Sequence, residues 1–354
     1  MEHKEAIAVV GATGHTGRFV VNEISRLGMR VIRIGRDQAK LNADAGAFPE
    51  DEARCATIDD ARSLDVALRG ASAVINCAGP FLDTGLQVLD AALRASIPYV
   101  DVAAEQAAVK AMFDTRHALA TAAGVPVVPA MAFYGGLADL MASAVIEENE
   151  TVDEIEIAIG LDSWHPTLGT RLTGKRNNVP RVVLQGGRLE LLASPPHRSY
   201  WNFPEPIGRR EVVAQPFTEV VTLASHLRVD TITPWLNVEP LQDLRDAATP
   251  PPTSNHHTGR SDQQFVMDVL VRKRGQLRMV RAQGRDIYYV TAPMAVQAAM
   301  RLISGDARYR HGVHSAGAMF DPRSFLQGLA LAGLDVSFDG NTLSKLPSIE
   351  RVGA

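Results

Sequence analysis

Cysteine is nearly missing: Cys55 and Cys77 are the two in 354 residues, far apart and without metal-ligand spacing. A disulfide framework is thereby excluded and a reducing compartment expected. Charge of one sign is missing too. The 21% of charged residues nearly cancel, to a formal net charge of -4, so no global field draws nucleic acid or an anionic membrane. No run approaches the roughly 18 uninterrupted apolar residues that span a bilayer. The polar start, Met1 to Glu5, passes at once into a short apolar run ending in glycine, which is not a secretory leader pattern. These absences lead us to expect a cytoplasmic protein with neither nucleic-acid nor membrane partners.

Apolar residues are abundant instead. At 46% hydrophobic, a chain of 354 residues has material for two cores. Ala6 to Val10 is a compact apolar run, read as a fully buried strand. A glycine-rich turn follows, then an amphipathic helix from Gly17 to Leu27 closed by Gly28. Strands are expected at 29–34, 55–58, 73–77, 99–102 and 125–128, with helices at 63–68, 85–95 and 105–123. Alternation of this kind describes a parallel sheet wound on both faces. Beyond Met131 the rhythm changes. Leu137 to Ile146 reads as a helix, and Ile155 to Ile159 alternates like a half-exposed strand. Hairpins are expected around Gly186-Gly187 and Gly275. Further helices are expected at 294–303 and 324–331. The fold class read from this pattern is α/β: an N-terminal Rossmann doubly wound parallel sheet with a second α+β domain of mixed or antiparallel sheet. We divide it into a Rossmann domain at 1–134, an α+β domain at 135–290 for substrate or dimerisation, and a C-terminal helical segment at 291–354 packing back on the first domain.

The sharpest motif is Gly11-Ala12-Thr13-Gly14-His15-Thr16-Gly17, immediately after the first strand and opening the first helix. Glycines let the backbone approach a pyrophosphate, and the helix N-terminus offers it free amides and a positive dipole end. Choice of cofactor is made at the end of the second strand, where NAD enzymes carry an acidic residue. Here that strand ends Ile34-Gly35-Arg36-Asp37, and Arg36 is suited to a 2′-phosphate, with Lys40 assisting. Asp37, one position late, reads as a helix cap. NADP(H) is therefore the expected cofactor. Asp59, past the third strand, is a candidate partner of the adenine amino group, or an ordinary turn aspartate. Cys77-Ala78-Gly79-Pro80-Phe81 forms a small, stiff turn where the nicotinamide half should lie. Cys77 itself reads as a small buried residue rather than a nucleophile.

Together with Asn76, Ile97-Pro98-Tyr99-Val100-Asp101-Val102, Glu105, Gly284-Arg285-Asp286-Ile287-Tyr288 and Thr291-Ala292-Pro293, these motifs resemble the saccharopine dehydrogenase-like reductases. The resemblance runs from residue 6 to about 330. It implies a two-domain NADPH-binding reductase. Family members include saccharopine reductases, which act on an imine between an amino acid and a semialdehyde, and trans-acting enoyl reductases of lipid assembly. The chain departs from the family pattern after Tyr134, where Gly135-Gly136-Leu137-Ala138-Asp139 replaces a proline-containing turn, and this points away from lysine biosynthesis.

Candidate catalytic groups are Asp101, at the end of the fifth strand, Tyr134, after the sixth, and His165, in Trp164-His165-Pro166; a helix cap or turn carboxylate is the other reading of Asp101. By the same resemblance His165, Arg171 and Lys175 open the ligand-facing region of the second domain. Arg171 and Lys175 are then the candidates to hold a substrate carboxylate or phosphate, against the alternative of a solvated basic face. No tyrosine is followed four places on by lysine, which excludes the usual short-chain dehydrogenase pair. Metal catalysis is not expected, because His256-His257 and the pair His311 and His314 lack a ligand set. Arg278 and Arg281 fall on opposite faces of their strand, so the basic hairpin makes no nucleic-acid stripe.

The expected function is an NADPH-dependent oxidoreductase reducing a C=N, C=C or C=O bond of a small-molecule substrate, with a homodimer through the second domain. The competing reading is a non-catalytic NADP-binding redox sensor of the NmrA-like type. A polar, substrate-sized cleft opposite the nicotinamide separates the first from the second.

Overall fold

The computed structural model describes residues 5–43, 51–254, 259–330, 333–339 and 350–351. His256 and His257 lie outside them. The first domain runs β1 (Ala6–Val10), α1 (His15–Arg26), β2 (Arg30–Gly35), α2 (Gln38–Ala43), β3 (Glu52–Cys55), α3 (Ala61–Ala67), β4 (Ala73–Asn76), α4 (Phe81–Ala95), β5 (Tyr99–Asp101), α5 (Gln106–Ala123) and β6 (Pro126–Val128). A π-helical turn, Phe133–Leu137, leads into α6 (Ala138–Ser143). Then come β7 (Thr151–Leu161), α7 (Leu168–Arg176), β8 (Val182–Gln185), β9 (Arg188–Leu191), β10 (Arg198–Asn202), β11 (Arg209–Ala214), α8 (Glu219–Ala224), β12 (Arg228–Asn237), α9 (Val238–Arg245), β13 (Gln264–Lys273) and β14 (Gln276–Arg285). The chain closes with α10 (Ile287–Ser304), β15 (Gly312–Val313), α11 (Ala316–Met319), α12 (Pro322–Ala330), β16 (Asp335–Asp339) and β17 (Glu350–Arg351).

The first sheet has the order β15-β6-β5-β4-β1-β2-β3, every pair parallel. The progression of strand order reverses between β1 and β4, which opens a crevice at their carboxyl ends. Both faces of β1 are buried, in strict alternation. Ile7 and Val9 enter the core under α1 and α10, while Ala6, Ala8 and Val10 enter the core under α3 and α4. A continuous apolar run is what a strand covered on both faces requires.

The second sheet is mixed, ordered β16-β14-β13-β7-β12-β11-β10-β17, with β7 and β12 parallel. The β8–β9 and β13–β14 hairpins stand where the turn glycines place them. β13 is buried on two sides: Phe265, Met267 and Val269 join the core shared with the first sheet, Val266 and Leu270 the core around Trp201 and Trp235.

The last part of the chain is less purely helical than expected. It contributes α10 against the first domain, but also β15 to the first sheet beside β6 and β16 to the second beside β14. A two-residue strand carries no periodicity; it forms because β6 leaves an unpaired edge. Among the described residues no helix is long and apolar enough to cross a membrane.

Candidate active site

The glycine turn is shaped for an anion. Gly11 sits at φ +79°, and a Cβ there would lie 2.9 Å from the Ala78 backbone. A Cβ on Gly17 would collide with the Gly11 carbonyl. Ala12 is buried beneath the turn and Thr13 half-buried beside it. α1 starts at His15 from an N-cap, Gly14, that offers no side-chain cap, and its first turn holds no acidic residue. Its leading amides thus remain available to a pyrophosphate. His15 has a buried Nε2 with no partner, and burial lowers its pKa. Its ring meets Phe19 and Tyr288 edge-on, at 5.0 and 5.3 Å. The residues present therefore fit a dinucleotide.

Arg36 is exposed at the end of β2, at the mouth of this cradle. Asp37 caps α2, accepting from the amides of Ala39 and Lys40 at 3.0 and 3.1 Å. Asp59 is exposed past β3, while the neighbouring Asp60 caps α3 through the Arg62 amide.

The turn after β4 is braced from several sides. The Asn76 side chain accepts from the Ala78 amide at 3.0 Å, and Thr84 donates to the Ala78 carbonyl. Glu105 accepts from the Phe81 amide at 2.8 Å and the Ala104 amide at 3.2 Å, so a carboxylate from the β5–α5 junction caps α4. Gly79 and Phe81 reach the cavity described below, with Cys77 between them and the glycine turn. Burial raises the Cys77 thiol pKa well above its ordinary value, so it stays a neutral thiol.

Asp101 does not face the crevice. It is fully buried, and its side chain accepts from Tyr99 Oη at 2.9 Å, the Ala103 amide at 3.0 Å and the Ala130 amide at 2.8 Å. Ala130, at φ 54°, holds a left-handed conformation costly for alanine. Asp101 fixes that turn, and burial lifts its carboxyl to about 6. The catalytic candidacy of Asp101 is corrected in favour of its other reading, a turn carboxylate: a short strand ending inside the domain turns its last side chain inward.

Beyond Ala130 the chain needs Gly135 and Gly136. The Gly136 amide donates to the Ala130 carbonyl at 2.8 Å, and a Cβ on Gly135 would come within 2.7 Å of it. This packing explains the glycine pair where the family pattern has proline. It produces the π-helical turn, a feature frequent at functional sites, and sets Tyr134 in the cavity wall.

The cavity, of about 240 Å³, lies at the carboxyl ends of β4, β5 and β6, is bordered on its far side by α7 and by residues of the part of the chain that carries the second sheet, and opens to solvent. Thr16 borders it from the glycine turn. Tyr134 stacks on Phe217 at 4.0 Å and tilts against Trp164 at 5.8 Å. Its hydroxyl is buried without a partner, and burial raises its pKa. Tyr288 accepts from Trp164 Nε1 at 3.0 Å and meets Thr170 Oγ1 at 2.9 Å. The helix bearing it is set by Asp286, at φ 62°, which accepts from the amides of Tyr288 and Tyr289. Arg181 borders the same wall, its guanidinium 4.9 Å from the Phe217 ring centre. Behind it Glu219 is fully buried; it accepts from the Phe217 amide at 2.8 Å, and its Oε2 has no partner. Burial lifts that carboxyl to about 7.

Arg171 and Lys175 are not in the cavity. α7 turns Gly169, Thr170, Thr173 and Gly174 toward it, and the two cations lie on the other side of the helix. Arg171 donates to the carbonyls of Asp246 and Thr249, at 3.2 and 2.7 Å, and Lys175 is exposed. His165 stands apart as well, in a neighbouring cleft with Asp162, Ser163 and Gln263 that meets the main cavity only at Tyr288.

Sequence reasoning did not find Arg181, Phe217, Glu219 or the cavity role of Tyr288. Of these only Tyr288 carried a signal, the late Gly284–Tyr288 motif, which reads as a domain joint. Arg278 pairs with Glu150 at 3.0 Å, and Arg281 with Asp268 at 2.6 Å. His314 stacks on Tyr309 and meets His117 edge-on. Among the described residues no group of His, Cys, Asp and Glu is arranged to hold a metal.

Residues 7–128 match the family model of the saccharopine dehydrogenase NADP binding domain. Saccharopine dehydrogenase (L-Glu forming) from Saccharomyces cerevisiae, in its apo histidine-tagged form, superposes with a TM-score of 0.66 at 12% identity, over 95% of this chain and 100% of that one. Pen from Bacillus thuringiensis has a TM-score of 0.28 at 16% identity, over 36% of this chain and 51% of its own. A short-chain dehydrogenase/reductase from Vibrio parahaemolyticus has a TM-score of 0.32 at 14% identity, over 35% of this chain and 82% of its own. No curated protein matches the sequence. Residues 7–128 are thus similar to the NADP binding domain of saccharopine dehydrogenase, and the chain as a whole shares the fold of the yeast enzyme.

Proposed function

We propose that a chain with this NADP-binding domain works as an NADPH-dependent oxidoreductase, reducing a C=N, C=C or C=O bond of a small organic substrate. The observation that carries the reading is the substrate-sized, half-open cleft at the carboxyl ends of β4 to β6, beside the glycine turn, bordered by Tyr134, whose hydroxyl has no partner. A cofactor sensor without chemistry does not require such a cleft. The cleft is of substrate size, but its surface is more apolar than the polar cleft that distinction called for.

In this reading the amides of Gly14 to Gly17 hold the pyrophosphate, Arg36 with Lys40 takes the 2′-phosphate, and Asp59 accepts from the adenine. Cys77 to Phe81 shape the nicotinamide half. The nicotinamide, when bound, supplies a hydride. Tyr134, kept neutral by burial, gives its proton to the atom at the other end of the reduced bond, and the phenolate regains one from water. The net change is addition of one hydride and one proton across the double bond. The second domain in this proposal also forms a homodimer, which sedimentation equilibrium tests.

The test is calorimetric titration with NADPH and NADH, followed by a screen of the preferred cofactor against imines, enoyl thioesters and ketones. Micromolar NADPH binding with its oxidation supports the reductase. Tight binding without turnover of any class favours the sensor, and absence of binding overturns both.

A further inference from the structure

The charged residues that border the cavity are Arg181 and Glu105. Glu105 is engaged on both oxygens with the amides of Phe81 and Ala104, so it offers a ligand no free acid. Arg181 is different. Its Nη1 donates to the Pro216 carbonyl at 2.6 Å, and Gln215, with its amide oxygen turned inward, accepts from Nη2 at 3.0 Å. These partners are neutral. Among the described residues Arg181 forms no ion pair; Glu219 influences it only at longer range, with one oxygen committed to the Phe217 amide. A largely buried guanidinium whose nearest acid, Glu219, makes no ion pair with it and is itself shifted toward its neutral form is only partly compensated. It is relieved when an anion enters, and the planar fork of arginine matches a carboxylate in particular.

The rest of the wall carries no charge: Thr16, Thr167, Thr170, Thr173, Thr291 and Asn177 supply neutral polar groups, and the rings supply most of the apolar surface. Phe81, Phe133, Trp164 and Phe217 border the cavity, with Leu244 and Ile287. A second negative charge would lie against rings with no cation to meet it. The basic residues that might have met it, Arg171 and Lys175, are on the far side of α7.

We infer that the substrate is a monoanion with a flat, apolar body: one carboxylate held by Arg181 and an unsaturated or aromatic skeleton between the rings. This rests on the reductase reading of the same cavity, and it separates this chain from enzymes that take a polycharged amino-acid adduct.

The experiment is calorimetric titration of the full chain, saturated with NADP⁺, with trans-cinnamate, its neutral isostere trans-cinnamamide, and the dianion trans-glutaconate. Cinnamate should bind about 10- to 100-fold more tightly than either, the range of a charged hydrogen-bonded pair. Arg181→Met should abolish the preference over cinnamamide, and Arg181→Lys should keep part of it. The comparison of the three ligands on the unaltered chain stands even if Arg181→Met does not fold. Equal binding of cinnamate and cinnamamide, tighter binding of glutaconate, or no binding of cinnamate overturns the inference. Binding is read without turnover, so the two readings fail separately. Cinnamate preference with no NADPH oxidation by any substrate leaves the anion site standing and removes the reductase. NADPH oxidation by neutral enones, with no advantage to carboxylates in kcat/KM or in binding, does the reverse.

Discussion

One wall of the cleft is a single unbroken stretch of chain, Gly11 to Gly17, with a short turn, Cys77 to Phe81, beside it. The facing wall gathers Tyr134, Trp164, Arg181, Phe217 and Tyr288 from separate elements. The difference follows what each wall must bind. A pyrophosphate is recognised by backbone amides and a helix end, which local sequence supplies. A particular substrate is recognised by side chains, and side chains converge only when distant elements pack. Backbone recognition is shared by many proteins, whereas the converging rings and the lone guanidinium belong to this one.

Substitutions can break each wall separately. The largest effect should come from Tyr134→Phe: a loss of about 10²- to 10⁴-fold in kcat, the range for a positioned general acid, with NADPH affinity unchanged. Because the hydroxyl is buried without a partner, the same variant should be as stable as the parent or about 1 kcal/mol more stable by urea denaturation. Unchanged kcat would remove Tyr134 from the chemistry.

Gly17→Ala should act on the other wall. A Cβ there meets backbone that cannot step aside, so NADPH binding should weaken by about 100-fold or more, with overpacking of a few kcal/mol as the cause. Tryptophan emission, from the buried Trp164, Trp201 and Trp235, should not change. Arg36→Ala should be milder and selective. NADPH affinity should fall by about 10- to 100-fold and NADH affinity hardly at all, as loss of one exposed charged hydrogen-bond set implies. Equal loss of both cofactors would sink the assignment of Arg36.

A further effect, on stability and not on binding, concerns Asp101, the support behind the wall. Its folded pKa, about 6, lies above the ordinary 3.8. Folding therefore favours its neutral form, and the stability it contributes is complete below about pH 4 and lost as pH rises through about 6. The unaltered chain should lose about 2–3 kcal/mol more than Asp101→Asn over that interval. Parallel urea midpoints for the two proteins across it would show that Asp101 is not held as described.

Legibility in the sequence follows the same division. The parallel sheet could be read because strands covered on both faces are continuous apolar runs, as in Ala6 to Val10. Asp37 as a cap is equally local. Asp101 was misplaced because strand position gives the end of β5 but not which way its last side chain turns; the left-handed turn at Ala130 decides that. Arg171 and Lys175 share one face of a helix, as their spacing states, yet only the packing of α7 determines that it is the face turned away from the cavity.

By itself the sequence determined the glycine turn and the doubly wound sheet, and it carried the expectation of NADP(H), since each depends on residues close together in the chain. Tertiary structure alone decided which hydroxyl is left unpartnered, which cation faces the cavity and what surrounds it. Those properties belong to contacts between distant elements, and no local pattern encodes the direction in which a side chain will point once they meet.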